Sequence, residues 1–366
     1  MRDGSLAFSL AMSVVLFGCA NPSNTEEITY HKDAAPILSR YCGDCHAPGG
    51  IGPFALQNYS DAREHAYVIR RAVADGSMPP WLASDAGLPL RYSRKLRPQD
   101  RDVLLRWIDQ GTAEGDAEGP VHDDLPPAET VAPPRPDLRL DPGTSYTPSA
   151  RRNDDYRCFI VHDELANDLY VQAAIIRPDQ QSLVHHAIVY EIPAAAVSKV
   201  RARLGQDGMP GYDCFGGAGA DDDTRVLMAW APGSVPARFP PNTALKISAG
   251  SLLALQVHYN LTNRRPMPDR TTAELEVLST PPQRLAQIWP IADPRGLYIK
   301  AGDAAAQQTV RLEVWLLQAY FGFPTGNMLV HGSAPHMHLR GHKQTMAVDN
   351  GPLLLDIPKW NFHWQL

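Results

Sequence analysis

The sequence predicts a multidomain protein, with a small all-α unit first, an all-β antiparallel sandwich second and a shorter, incomplete β segment last. Three observations carry this expectation. Helical periodicity is confined to the first 115 residues, as in Val103, Leu104, Trp107 and Ile108 behind Pro98. Residues 116–136 then lose all apolar periodicity and fill with Pro, Ala, Glu and Asp, the composition of an extended, semi-rigid tether that lets the distance between its flanks vary. Beyond the tether, runs rich in β-branched and aromatic residues alternate with turn residues. At 366 residues the chain has room for two or three cores, and its 33 prolines mark many loops and strand ends.

Residues 1–19 read as a targeting segment. Arg2 precedes an apolar run from Leu6 to Phe17, too short for a spanning helix. The run ends in Leu16-Phe17-Gly18-Cys19, similar to a bacterial lipobox, with Phe17 bulkier than the small residue usual there. On this reading Cys19 becomes the lipidated first residue of the mature chain, and Ala20 in place of Asp directs it to the outer membrane. The alternative is a plain secretory signal cleaved near Ala20. Both readings place the chain on the periplasmic side of a bacterial envelope, touching membrane only through a lipid anchor. A net charge of −6, with no basic run or aromatic stacking motif, argues against nucleic acid as a partner.

In the unit spanning 20–115, Cys42-Gly43-Asp44-Cys45-His46 has the spacing of a c-type haem attachment site. Two thiols on one turn can add to the two vinyl groups of haem, and the adjacent His46 then lies under the iron as axial ligand. A thioredoxin-like redox pair and half a zinc site compete for the same residues. The immediate histidine disfavours the first, and the absence of a second CxxC disfavours the second. The opposite axial ligand is expected from Met78, in Ser77-Met78-Pro79-Pro80, with His65 as rival inside a helical pattern from Asp61 to Ala74. A short helix over Asp33 to Arg40 leads into the motif.

In the unit spanning 137–282, strands are expected over Leu169–Ile176, Leu183–Ile192, Ala244–Ser248 and Leu252–Leu261. Two of them carry Val184-His185-His186-Ala187 and Gln256-Val257-His258-Tyr259. Simple alternation sends His185 and His186 to opposite faces, and a bulge, or a metal lying at a strand edge, would let both serve one metal. Cys158 and Cys214 can pair in an oxidising compartment, or remain two buried thiols.

Near the end of the chain, His336 and His338 in Pro335-His336-Met337-His338-Leu339-Arg340-Gly341 share one face if the segment is extended, half of a metal shell. The ordered set Tyr156-Arg157-Cys158-Phe159, His185-His186, Tyr212-Asp213-Cys214-Phe215-Gly216-Gly217, Trp230-Ala231-Pro232-Gly233, Gln256-Val257-His258-Tyr259 and the His336-Met337-His338 segment resembles the type II, ascorbate-dependent copper monooxygenases, the peptidylglycine and dopamine hydroxylase family. The pattern is similar to the bacterial branch, in which a cytochrome c domain precedes jelly-roll-like copper domains. The resemblance implies an electron-transfer copper on His185, His186 and His258, and a catalytic, oxygen-activating copper on His336 and His338. Cys158 and Cys214 stand where such a domain can be bridged. His331 and His342 match no ligand position.

For residues 283–366 the resemblance implies only the start of the second copper domain. A strand is expected over Thr309–Leu317, and a hairpin over Lys343–Val348 and Leu353–Ile357 around Asn350-Gly351. The family's methionine ligand to the second copper lies well beyond the HxH pair, and nothing in this sequence occupies that position, so the chain reads as a fragment, with a modified or disabled second site as the alternative. Met337 should face away from the histidines, leaving Met328 and Met346 as substitutes. The function implied is an exported haem c and copper oxidoreductase that hydroxylates a C–H bond of a small molecule with O2. Its electrons would come from haem or ascorbate, and a redox partner protein would supply the haem. A non-enzymatic electron-transfer or copper-binding protein of the envelope is the alternative, and a sandwich reduced to an interaction module is a third.

Overall fold

Four helices build the N-terminal core: α1 Ala35–Cys42, α2 Tyr59–Glu64, α3 Ala66–Asp75 and α4 Pro98–Asp109, in a computed structural model that describes residues 27–121, 125, 129–219, 224–289, 291, 296–321, 328–362 and 364. The targeting segment and Cys19 lie outside the described residues. Among those described, no helix is long and apolar enough to cross a membrane. A π-helical turn, Tyr30–Ala34, runs into α1, so the expected helix begins a turn early and ends on Cys42. The single helix expected over 61–74 is broken at His65, whose backbone leaves helical geometry and whose ring Nδ1 lies 2.9 Å from the Asp61 carbonyl. Asn58 caps α2 through Asp61 N–H, and Gly76 ends α3 at φ +73°. Pro98 starts α4, its fixed φ suited to a first turn. Ile37, Leu38, Ile69, Val73, Leu104 and Trp107 close this core, and the buried Trp107 indole donates to the Ala113 carbonyl.

The sandwich follows. Its strands are β1 Leu138–Leu140, β2 Asp154–His162, β3 Leu169–Arg177, β4 Val184–Ile192, β5 Tyr212–Asp213, β6 Arg225–Trp230, β7 Ala237–Arg238, β8 Thr243–Ile247, β9 Leu252–Asn260, β10 Thr272–Val277 and β11 Arg284–Ala286. One sheet runs β1-β10-β3-β8-β11, with β7 also on β3, and the other runs β5-β2-β9-β4-β6. All pairings are antiparallel except β8 with β11, so the first sheet is mixed where a purely antiparallel one was expected. The edge strand β11 draws residues past 282 into this sheet.

Alternation explains the layers. Leu253, Leu255, Val257 and Tyr259 of β9 meet Val171, Ile176, Leu245, Ile247 and Leu275 between the sheets. The opposite face of β9 carries Leu252, Ala254, Gln256 and His258. Its first half is covered by α5 Val197–Arg201 and the Cys158–Cys214 disulfide, packed with Tyr190, Ile192 and Tyr212. Two covered faces make β9 buried along nearly its whole length. The disulfide spans 56 residues. Cys158→Ala with Cys214→Ala is expected to lower the unfolding free energy by about 2–4 kcal/mol, read as a shifted denaturant midpoint.

Residues 309–317 do not form a strand. They lead into α6 Val314–Phe321. A short apolar run fits either element by periodicity alone, and no strand pairing fixes this one. The expected hairpin is present as β12 Gln344–Ala347 and β13 Leu353–Ile357, turning at Asn350 with φ +55°. Its β13 strand receives the loop after α3. Ser84 N–H donates to the Asp356 carbonyl at 2.8 Å, and Leu82 and Ala83 pack against Leu355, Ile357 and Trp360.

Candidate metal centre

The centre forms on the outer face of the five-stranded sheet, at the end where β2 and β4 begin and β9 finishes. In β9, His258 follows Gln256 by two residues and therefore shares its face. His186 pairs directly with His258 across the strands, and the register shifts between Val184 and His186. That irregularity is a bulge, one of the two arrangements by which both histidines could serve one metal. Val184 and Ala187 both enter the inter-sheet core, while the extra residue between them frees both histidines for the outer side.

The three rings converge through their Nδ1 atoms. His186 Nδ1 lies 3.4 Å from His185 Nδ1 and 3.3 Å from His258 Nδ1, and one nitrogen from each ring falls within 4.8 Å of the others. One N–H···N hydrogen bond can satisfy a single such pair, but His186 Nδ1 can donate to only one neighbour at a time, whereas an ion among the three satisfies them all. Two nitrogens about 2.0 Å from a shared ion lie about 3.3–3.5 Å apart when they subtend roughly 110–120°, so the spacing fits a metal. Burial pushes His186 down to about 3, helped by the neighbouring His258, His185 and His336, and pushes His258 down to about 4. At neutral pH both are neutral imidazoles ready to donate to an ion. This cluster can hold a metal.

Sequence reasoning missed the group that orients it. Asp154, at the start of β2, accepts from His258 Nε2–H at 2.9 Å and from the Asn260 amide at 3.0 Å. That bond fixes the tautomer leaving Nδ1 free for the ion. On the same face of β2, Tyr156 stacks on the His258 ring at 4.0 Å and 7°, and Phe215 stands edge-on against Tyr156. Gln256 donates to the Cys214 and Gly217 carbonyls, holding the Phe215 loop in place beside the disulfide. Asp154→Ala should weaken metal binding about 10- to 100-fold while leaving the three ligands in place, as measured by competitive chelator titration.

The HxH pair is arranged as expected in part. The His336 and His338 rings lie 5.1 Å apart, while Met337 turns into the hairpin core with Leu355, Ile357 and Trp360. Met346 packs in that same core and does not join the histidine pair, and Met328 is exposed. His331 and His342 are exposed.

At the haem attachment motif, Cys42 ends α1 and Cys45 follows on the next turn, and both are free thiols. Burial pushes the Cys42 thiol up to about 12 and raises Cys45 as well. His46 is buried. Its Nδ1 lies 2.9 Å from the Phe54 carbonyl, which holds a proton there and leaves Nε2 free for a ligand. Gly50 and Gly52 wrap this turn so tightly that a Cβ on either would stand 2.5–2.8 Å from the Cys45 carbonyl oxygen. Phe54 packs against His46 at 4.8 Å and stacks on His65 at 3.9 Å, placing the rival ligand on its far side. Met78 follows Gly76 in the turn after α3, half-buried, with its N–H on the Ala72 carbonyl. Two free thiols, a tautomer-fixed histidine and an aromatic wall fit a covalently attached haem.

Comparison with protein-family models and with curated proteins finds no match to this chain.

Proposed function

We propose that the chain is an exported copper monooxygenase carrying a covalently attached haem c. The observation that carries this reading is the convergence of three imidazole nitrogens on one point, with the His258 ring oriented by the Asp154 carboxylate. It occurs in a chain that also has a CxxCH turn and an HxH pair. Imidazole donors suit copper in both oxidation states, and bound copper and haem would supply one-electron transfer and oxygen activation.

The chain's own residues do the positioning. His185, His186 and His258 present lone pairs to the first copper, and Asp154 holds His258 in register. Tyr156 stacks on His258 and is backed edge-on by Phe215. His336 and His338 would hold the second, catalytic copper, and Cys42, Cys45 and His46 would hold the haem, with Met78 as the expected sixth ligand. Each turnover would place one oxygen atom of O2 in a substrate C–H bond and release the other as water, consuming two electrons and two protons. A redox partner protein or ascorbate would supply the electrons.

The test is metal content followed by oxygen chemistry. Two coppers per chain and oxygen-dependent hydroxylation, lost in His336→Ala, would support the monooxygenase. One copper at the His185, His186 and His258 cluster, with oxygen consumption no faster than in copper-free protein, would leave an electron carrier instead.

A further inference from the structure

The register of the five-stranded sheet brings its metal cluster and the haem attachment motif to one place. Asp154 pairs with Asn260, His186 with His258 and Ala187 with Trp230. The loops leaving β6 and β9, Ala231–Ser234 and Leu261–Arg265, therefore emerge at the cluster's end of the sheet. One reaches the haem motif through Arg94, and the other touches the loop that follows the motif. Arg94, from the segment before α4, donates to Asp44 at 2.7 Å inside the CxxCH turn and to the Gly233 carbonyl at 3.0 Å. Its guanidinium occupies the space a Cβ on Gly233 would need, 2.9 Å away, where φ is +93°. From the other loop, the Arg264 guanidinium donates to the Ile51 carbonyl at 2.5 Å. Ile51 lies between the two glycines that pack on Cys45 and His46.

We propose that Arg94 and Arg264 clamp the Cys42–Phe54 loop onto the end of the sandwich bearing His185, His186 and His258, so that the haem delivers electrons to the metal held there over a fixed path. The inference rests on the haem and copper reading above. In the step, one electron leaves a ferrous haem, which becomes ferric, and reduces one cupric ion to cuprous. No atom or proton is transferred, and a one-electron redox protein outside the chain re-reduces the haem. The distance is then set by two charge-assisted contacts and not by the length of the 116–136 tether. Arg94 and Arg264 are positioning residues, since neither touches a ligand atom of the cluster.

The experiment uses full-length, copper-loaded ferric protein and a flash-generated, substoichiometric reductant that reduces haem. In the wild type, the haem band should reoxidise at a rate independent of protein concentration. Arg94→Ala with Arg264→Ala should slow that rate about tenfold or more and speed amide exchange over 44–52 and 231–234, without changing the haem spectrum or the bound copper. Arg264→Ala alone, on the sandwich side, tests the same clamp if the double variant does not fold. Unchanged rates and unchanged exchange in a folded variant would overturn the proposal. A wild type with no covalent haem would overturn the haem reading instead, while amide exchange would still report whether the clamp exists.

Discussion

His258→Ala is expected to remove one metal equivalent from the protein after dialysis against a weak chelator. The expected loss of affinity exceeds the 10- to 100-fold typical of an outer-shell change, because three causes act together. A three-nitrogen site falls to two donors. Asp154 loses the N–H it orients. The replaced ring is buried and stacked on Tyr156, so the cavity lets water compete for the ion. His186→Ala should do nearly the same, since its Nδ1 stands between those of the other two rings. Metal analysis and the Cu(II) electron paramagnetic resonance spectrum read the outcome, with near-UV circular dichroism as the check on folding. A variant that keeps the full metal content and an unchanged spectrum would show that the ion does not sit among these rings.

The strands that build this site were legible because each has one face toward the inter-sheet core. Alternation in Leu253, Leu255, Val257 and Tyr259 places His258 on the outer face without any knowledge of partners. The bulge at His185 was legible only as one of two ways for both histidines to serve one metal. Its position depends on which residue of β4 faces which of β9, a long-range pairing that local sequence does not encode. Asp154 left no signal for a related reason. A lone aspartate before a strand becomes meaningful only once β2 is paired to β9 and the Asp154, Tyr156 and Cys158 face is seen to lie beside His258 and Gln256. The arginine contacts are more remote still, joining residues 139 and 213 positions apart through side chains of a common surface type. Residues 309–321 illustrate the opposite limit. Val314-Trp315-Leu316-Leu317 satisfies strand and helix patterns alike, so tertiary pairing or its absence decides the element.

Cys42→Ala combined with Cys45→Ala is expected to abolish covalent haem entirely, so that haem staining on a denaturing gel falls to background and the pyridine haemochrome of the denatured protein disappears. Each single variant should keep one thioether and a shifted haemochrome band. The expectation follows from the turn itself. Cys42 and Cys45 are unpaired in a chain whose other described cysteines form a disulfide, so both sulfurs are open to thioether formation with a vinyl group. His46→Ala separates attachment from ligation. The thioethers should survive while the axial ligand is lost, giving full staining on the gel and an altered spectrum in the native protein. A thioredoxin-like pair would behave differently at every step: no staining in the wild type, two thiols titratable after reduction, and a redox-dependent disulfide between Cys42 and Cys45. The geometry of His46 favours the haem outcome, because the Phe54 carbonyl engages Nδ1 and leaves the Nε2 lone pair to serve as a metal ligand.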